Sequence, residues 1–431
     1  ALFFFFKSTL LTAEWRMNFD FNNIIYFQMM QHAWNNYKLY AWGKNELKPI
    51  SKRAHLSSVF GGGQLGATIV DGLDTLYLMG LKDEYREGRD WVAENLRFSE
   101  ILSVFETTIR FIGGLLSCYA LTGDAMFKDK AVEVADALLP AFDTPTGFKS
   151  LMFQLVYKNK VDKIRDVLHK SEKPGGLYPN FINPRSGAWA LGDSFYEYLL
   201  KAWLVSGRTD QQGREMFDEA MKPALEKMLR TSPSGLAYLA EVKYGRIFEE
   251  KMDHLSCFAG GMFALASQTL ENHLSDQYMD VARKLTHTCH ESYARSETKL
   301  GPEAFSNEKV YLLRPETFES YFIMWRLTKE QKYRDWGWEA VEALEKHCRV
   351  DGGYTGLVNV YRHIPQGDDV QQSYFLAETL KYLYLLFSDD NIMPLDQWVF
   401  NTEAHPFPIR GVNPLFREAK PQPKESNDNL L

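Results

Sequence analysis

Four times in this chain an apolar helical stretch stops at a short polar turn and an amphipathic stretch follows. Met79-Gly80 leads into Tyr85 to Leu96, and Leu121-Thr-Gly-Asp124 leads into Met126 to Leu139. Val205-Ser-Gly-Arg208 precedes Met216 to Leu229, and Leu327-Thr-Lys-Glu330 precedes Tyr333 to Leu344. The first helix of each pair is the more apolar. Helical spacing of apolar residues runs over 28–43, 67–80, 84–97, 102–121, 126–139, 161–170, 193–206, 214–230, 256–270, 276–294, 315–328, 331–347 and 370–387. Strand signals are few, with short extended pieces expected at 235–243 and 353–361. Helical hairpins of this polarity bury their apolar members by stacking as a solenoid or closing into a ring. A ring places the apolar helices inside, with their N-terminal ends around a central cavity.

The chain can afford such a core, with 431 residues that are 45% hydrophobic and 14% aromatic. A net charge of −7 without any basic tract argues against nucleic acid. No window reads as a membrane span. The chain opens on Ala rather than Met, so it reads as a piece of a longer protein, any membrane anchor lying outside it. Cys118, Cys257, Cys289 and Cys348 form no Cys-X-X-Cys pair, which argues against zinc. One disulfide is compatible with them, and spacing alone does not select it. Residues 1–27 are unassigned, and 411–431 read as a disordered tail.

The apolar helices carry acids near their starts. Pro315 fits the first position of a helix, where its missing N–H costs nothing. Glu316 and Glu319 then share a face near the positive end of the helix dipole, with Arg314 just outside. Asp71 and Asp74, Glu106 and Arg110, Asp193 and Glu197, Asp253 and His254, and Glu378 repeat the pattern. The plain readings are dipole acids at 316 and 319, helix caps at Asp193 and Asp253, an ion pair at 106 and 110, and a satisfied core histidine at 254. Buried carboxylates are costly unless paired, so six helices repeating the feature point to a site.

The runs Ala33-Trp-Asn-Asn-Tyr37, Ala67-Thr-Ile-Val-Asp71, Phe105-Glu-Thr-Thr-Ile-Arg110, Gly192-Asp-Ser-Phe-Tyr-Glu-Tyr198, Cys289-His-Glu-Ser-Tyr293, Arg314-Pro-Glu316, Phe375-Leu-Ala-Glu-Thr-Leu380 and Phe400-Asn-Thr-Glu-Ala-His-Pro406 resemble glycoside hydrolase family 47. These are the class I α-1,2-mannosidases that trim N-glycans, and the chain looks closest to their Golgi group. The similarity covers roughly 30–410 in consistent order, and the catalytic domain is set at 28–410. The resemblance implies an all-α (α/α)7 barrel, or toroid, plugged by a small β-hairpin. It implies hydrolysis of terminal α-1,2-linked mannose with inversion, on high-mannose N-glycans of glycoproteins.

By motif match, Glu106 resembles the acid acting through a water, Glu316 the base, Asp193 a further catalytic acid and His254 a cleft residue. Arg110, Arg314, Glu319, Tyr374 and Glu378 match sugar- or water-binding positions. Leu191 stands where the endoplasmic reticulum enzymes carry Arg, which favours the Golgi forms. Asn401-Thr-Glu403 resembles a calcium motif, with Thr402 as ligand and waters held by Glu316, Glu378 and Glu403. Hard oxygen donors suit Ca2+. Cys257 and Cys289 match the family's disulfide, which implies an oxidising lumen. The expected setting is the Golgi lumen, for a monomer that is a type II membrane protein when full-length.

The chain departs from the family after Phe142-Asp-Thr-Pro-Thr-Gly147. Phe148 to Lys160 stands where the family has an inner helix beginning with an Ala-Glu-Phe motif. Shorter pieces are missing between Arg185 and Leu191 and between Phe305 and Tyr311. From the turn at 121 to the turn at 205 there is room for two helix pairs, yet only 161–170 reads as helix. A ring short of one inner helix exposes apolar faces at a cost of several kcal/mol. The alternative to an active enzyme is therefore an impaired form that binds glycans or is inactive.

Overall fold

The computed structural model describes residues 19–417, apart from 57–59, 61–63, 99–102, 143–154, 171–172, 179–180, 183–188, 191–193, 244–246 and 305–307. The tail beyond 417, the first 18 residues, and much of 148–160 lie outside the described residues.

The helical hairpins form as expected, with ends set by the polar turns. Gly123 takes φ 75° and its N–H closes the helix on the Tyr119 carbonyl at 2.8 Å. Asp124 then caps Ala125–Leu138, accepting from the Met126 N–H at 3.0 Å. Apolar, buried helices run over Ala67–Leu78, Val104–Thr122, Ser194–Val205, Ala259–Thr269, Glu316–Thr328 and Leu380–Phe387. The last is entered through a wide π turn at Phe375–Thr379. Each packs on an amphipathic neighbour: Lys82–Asn95, Ala125–Leu138, Gln211–Lys227, Ser275–Ala294, Lys332–Ala343 and Phe19–Ala41. The first helix starts at Phe19, earlier than the boundary expected at 28.

The buried helices touch in turn. Ala67–Leu78 packs on Val104–Thr122 at one side and on the Phe375–Thr379 turn at the other. Glu316–Thr328 packs between Ala259–Thr269 and Leu380–Phe387. A hairpin, Trp398–Phe400 with Pro406–Pro408, is wedged between Ser194–Val205 and Gly113–Thr122.

The amphipathic helix Leu155–Lys170 meets Gln211–Lys227 through polar pairs. Arg165 forks onto Asp210 at 2.7 and 2.8 Å, and Gln212 donates to Asp166 at 2.7 Å. Leu168 is buried, but Val161, Ile164 and Val167 remain 51%, 40% and 43% exposed along one stripe.

Two expectations need correction. Val104–Thr122, at 19 residues, is long and apolar enough by length and composition to cross a membrane. It is a core helix, apolar because it faces the interior and charged only near its start, at Glu106 and Arg110. The extended piece at 353–361 is a strand only at Gly353–Tyr354. That at 235–243 splits between two hairpins, as Ala237–Leu239 and Glu241–Lys243.

Cys257 and Cys289 form the expected disulfide with Cα atoms 6.0 Å apart, while Cys118 and Cys348 are free and buried. The bridge ties the entrance of Ala259–Thr269 to Ser275–Ala294 across a sequence separation of 32. By loop entropy, the double substitution Cys257→Ala/Cys289→Ala should lower stability by about 3–4 kcal/mol. Urea unfolding of both proteins measures it, and equal midpoints would refute it.

Candidate active site

Glu316 opens the helix Glu316–Thr328, with Pro315 at the cap position rather than in the first turn. The Pro315 carbonyl accepts from Phe318 and Glu319 N–H groups at 2.7 and 3.0 Å. The approach is pinned from the neighbouring helix entrance. Leu313 takes φ 61°, and its carbonyl accepts from Thr379 Oγ1 at 2.6 Å. The Tyr374 hydroxyl donates to the Leu312 carbonyl at 2.7 Å.

Glu316 Oε2 lies 2.6 Å from Nδ1 of the fully buried His254. His254 Nε2 lies 2.6 Å from the Tyr293 hydroxyl. With Nδ1–H donating to the carboxylate, Nε2 accepts from Tyr293, and one tautomer satisfies both. Burial pushes the Glu316 carboxyl up, but the hydrogen bond from His254 and the charge of Arg314 hold it below the usual range. Arg314 is not solvated: it grips Glu303 at 2.6–3.1 Å and leaves Nη1 3.8 Å from Glu316 Oε1.

A second cluster gathers on Arg110, which sits on a π turn at Thr107–Ile112. Such turns often mark functional sites. Arg110 Nε donates to Glu106 at 2.8 Å, and Nη1 to Ser373 at 3.3 Å. Nη1 also meets Asp71 at 3.4 Å and pairs with Glu403. The Tyr374 ring lies between the two clusters, 5.6 Å from the Arg110 guanidinium and 5.5 Å from that of Arg314.

More carboxylates surround these than the cations balance. Burial carries Glu319 up to about 7, against the pull of Lys201, which lies 3.2 Å away and also pairs with Glu197. Burial, then Glu403 and Glu316, push Glu378 well above its ordinary value. Burial lifts Glu403 to about 8 although Arg110 opposes it. Glu403 belongs to the hairpin tip, where Asn401 Oδ1 accepts from the N–H groups of Glu403 and His405 at 2.9 and 2.8 Å. Thr402 N–H points to the Tyr198 hydroxyl at 3.5 Å.

The structure thus assembles Glu316, His254 and Arg314 in one group, and Glu106, Arg110 and Glu403 in another, with Tyr374 between. Glu319 and Glu378 interact with them electrostatically. Leu191 and Asp193 lie outside the described residues. Asp253 makes no capping hydrogen bond and pairs with Lys251 at 2.9 Å. Among the described residues no three His, Cys, Asp or Glu side chains stand ready to hold an ion directly. Sequence reasoning missed Lys201, Lys381, Glu303 and Tyr293. The two lysines carried a signal: each is a lone cation in a strongly apolar helix.

The family described as glycosyl hydrolase family 47 matches residues 29–156 and 150–409, so the match breaks in two at 150–156. The chain is 68% identical to mannosyl-oligosaccharide alpha-1,2-mannosidase IA of Spodoptera frugiperda, over 94% of this chain and 70% of the relative. That alignment spans 468 positions, more than the 431 residues of the chain, and so opens gaps in it. Identity is 51% to mannosyl-oligosaccharide 1,2-alpha-mannosidase IA of Sus scrofa, over 90% of this chain and 67% of the relative. Among solved structures, alpha-1,2-mannosidase from Trichoderma reesei superposes with TM-score 0.80 at 24% identity, covering 91% of this chain and 99% of that one. With the family match running across most of its helices and the fold agreeing, the chain belongs to glycosyl hydrolase family 47.

Proposed function

We propose that the chain is an α-1,2-mannosidase that removes terminal α-1,2-linked mannose from high-mannose N-glycans during glycoprotein maturation. The observation that carries this reading is Glu316, ionised beside His254 and Arg314 at the mouth of a buried helix. An inverting hydrolase needs a base that holds a water and a separate proton donor. Glu316, held as a carboxylate, is the base. Glu106, acting through a water, and Asp193 are the two donors to be weighed. Arg110, Arg314, Tyr374, Glu319 and Glu378 would bind the sugar or its waters, and Leu191 would leave room for several branches.

The donor set fits a hard divalent cation. Glu378 and Glu403 are crowded, oxygen-only groups held up by burial and by neighbouring carboxylates, which a nearby cation would relieve. Thr402 would ligate Ca2+ through oxygen, with waters held by Glu316, Glu378 and Glu403. When bound, the ion would help orient sugar hydroxyls. The disulfide supports a lumenal, oxidising compartment, which we take as the Golgi.

The expected result is mannose release from a Man9 glycan that chelation abolishes and calcium restores. Protonation adds a second signature. Glu319 and Glu403 hold protons in the folded state at pH values where the unfolded chain has lost them. The calcium-free protein should therefore lose stability as pH rises from about 5 to 8. Saturating calcium should flatten that loss, and identical pH profiles with and without calcium would reject the ion at these carboxylates.

A second reading, glycan binding without turnover, is favoured by one feature. Leu155–Lys170 leaves Val161, Ile164 and Val167 exposed, and the family match breaks just before it. We read this as an (α/α)7 ring, plugged by the 398–408 hairpin, that is short of one inner helix. Glycan binding with no mannose release would favour this second reading.

A further inference from the structure

We propose that Lys381 positions the turn carrying Thr402 and Glu403, and that this positioning sets the turn's affinity for calcium. The second half rests on the calcium reading above. Lys381 lies in Leu380–Phe387 with no exposed surface. Its Nζ donates to the Ala404 carbonyl at 2.7 Å and lies 2.8 Å from Asp74 Oδ1. Asp74 Oδ2 in turn accepts from Ser117 Oγ at 2.9 Å and lies 2.7 Å from His405 Nδ1. Three buried helices therefore converge on one end of a five-residue tip, 401–405.

The tip needs this hold. Ala404 takes φ 58°, a left-handed conformation that brings its Cβ against the following carbonyl oxygen. Asn401 braces the other side, donating from Nδ2 to the Ile109 carbonyl at 2.8 Å. Gly113 and Gly114 let the tip sit this close. A Cβ on Gly113 would stand 2.6 Å from Asn401 Nδ2, and one on Gly114 would stand 3.1 Å from the His405 ring. A buried ammonium is expensive. Charge balance for Asp74 alone would not require it to reach the carbonyl of the tip's left-handed residue. Thr402 and Glu403 lie between the two anchors, so their aim depends on both.

Three variants test this by calorimetric titration with calcium chloride and by hydrogen exchange of the 401–405 amides in chelator. Lys381→Met should weaken calcium binding by about 10–100-fold, the usual effect of losing a group that orients a ligand. It should also speed exchange at Ala404 and His405 in the calcium-free protein. Adding Ala404→Gly should recover much of the affinity, because glycine takes the left-handed turn without strain. Asp74→Asn/Lys381→Met removes both charges of the pair and should stay weak. It also carries the test where the single variant does not fold. Wild-type affinity in that double variant would reduce Lys381 to a counterion, and unchanged exchange in Lys381→Met would overturn the positioning. A wild-type chain that binds no calcium would reject the calcium half, leaving exchange to decide the other.

Discussion

Replacing Glu316 by Gln lowers the turnover number for mannose release by about 10²–10⁴-fold, the range for loss of a general base. Gln matches the carboxylate in shape, so the Glu316–Thr328 entrance and its His254 contact persist. It lacks the anionic oxygen that His254 and Arg314 keep ionised. A residue that only bound sugar would raise KM and spare kcat. The measurement is single-turnover release from a high-mannose glycan, with binding followed separately. Retained binding with lost turnover is expected, and a rate within threefold of wild type would remove Glu316 from the role of base.

Arg110→Met should destabilise the fold by about 3–5 kcal/mol, because it strands buried carboxylates that had one shared cation. Asp71 is fully buried, Glu403 nearly so, and Glu106 partly. The variant should recover some stability in mild acid, where Glu403 is protonated in the folded state. Arg86→Met is the control: Arg86 pairs with Asp83 where both side chains are well exposed, and its loss should cost less than about 0.5 kcal/mol. Urea unfolding of the two variants at pH 5 and pH 7.5 makes the comparison. Similar losses from both would mean that the Arg110 cluster is solvated.

The hairpin architecture was legible because period and punctuation agree. At Leu121-Thr-Gly-Asp124 the same residues that end the apolar pattern also cap the helices on either side. The acids at 106, 316 and 378 were legible as misfits in apolar helices. The long-range pairs were not, because they join distant segments: His254 reaches Glu316 from 62 residues away, and Glu403 reaches Arg110 from 293. Nothing in helical spacing encodes such a meeting. The family motif placed these residues together without giving the physical reason, which is the shared cation at Arg110 and the tautomer-fixing pair at His254. Tyr374 as the ring between two guanidinium groups was also invisible, since its neighbours at 110 and 314 are set by closure of the helices rather than by local pattern.

The contact between Asp74 and His405 spans 331 positions of the chain. During synthesis the aspartate leaves the ribosome long before its histidine exists. Until the last hairpin arrives, Asp74 has no His405, Arg110 has no Glu403, and Lys381 has no Ala404 carbonyl. Long-range closure of this kind is slow and leaves apolar helices open to aggregation meanwhile. The 401–405 turn is therefore also the latch of folding. A chain halted before residue 398 would hold the carboxylates Glu106, Glu316 and Glu378 yet remain unlocked, a substrate for chaperones rather than a glycosidase.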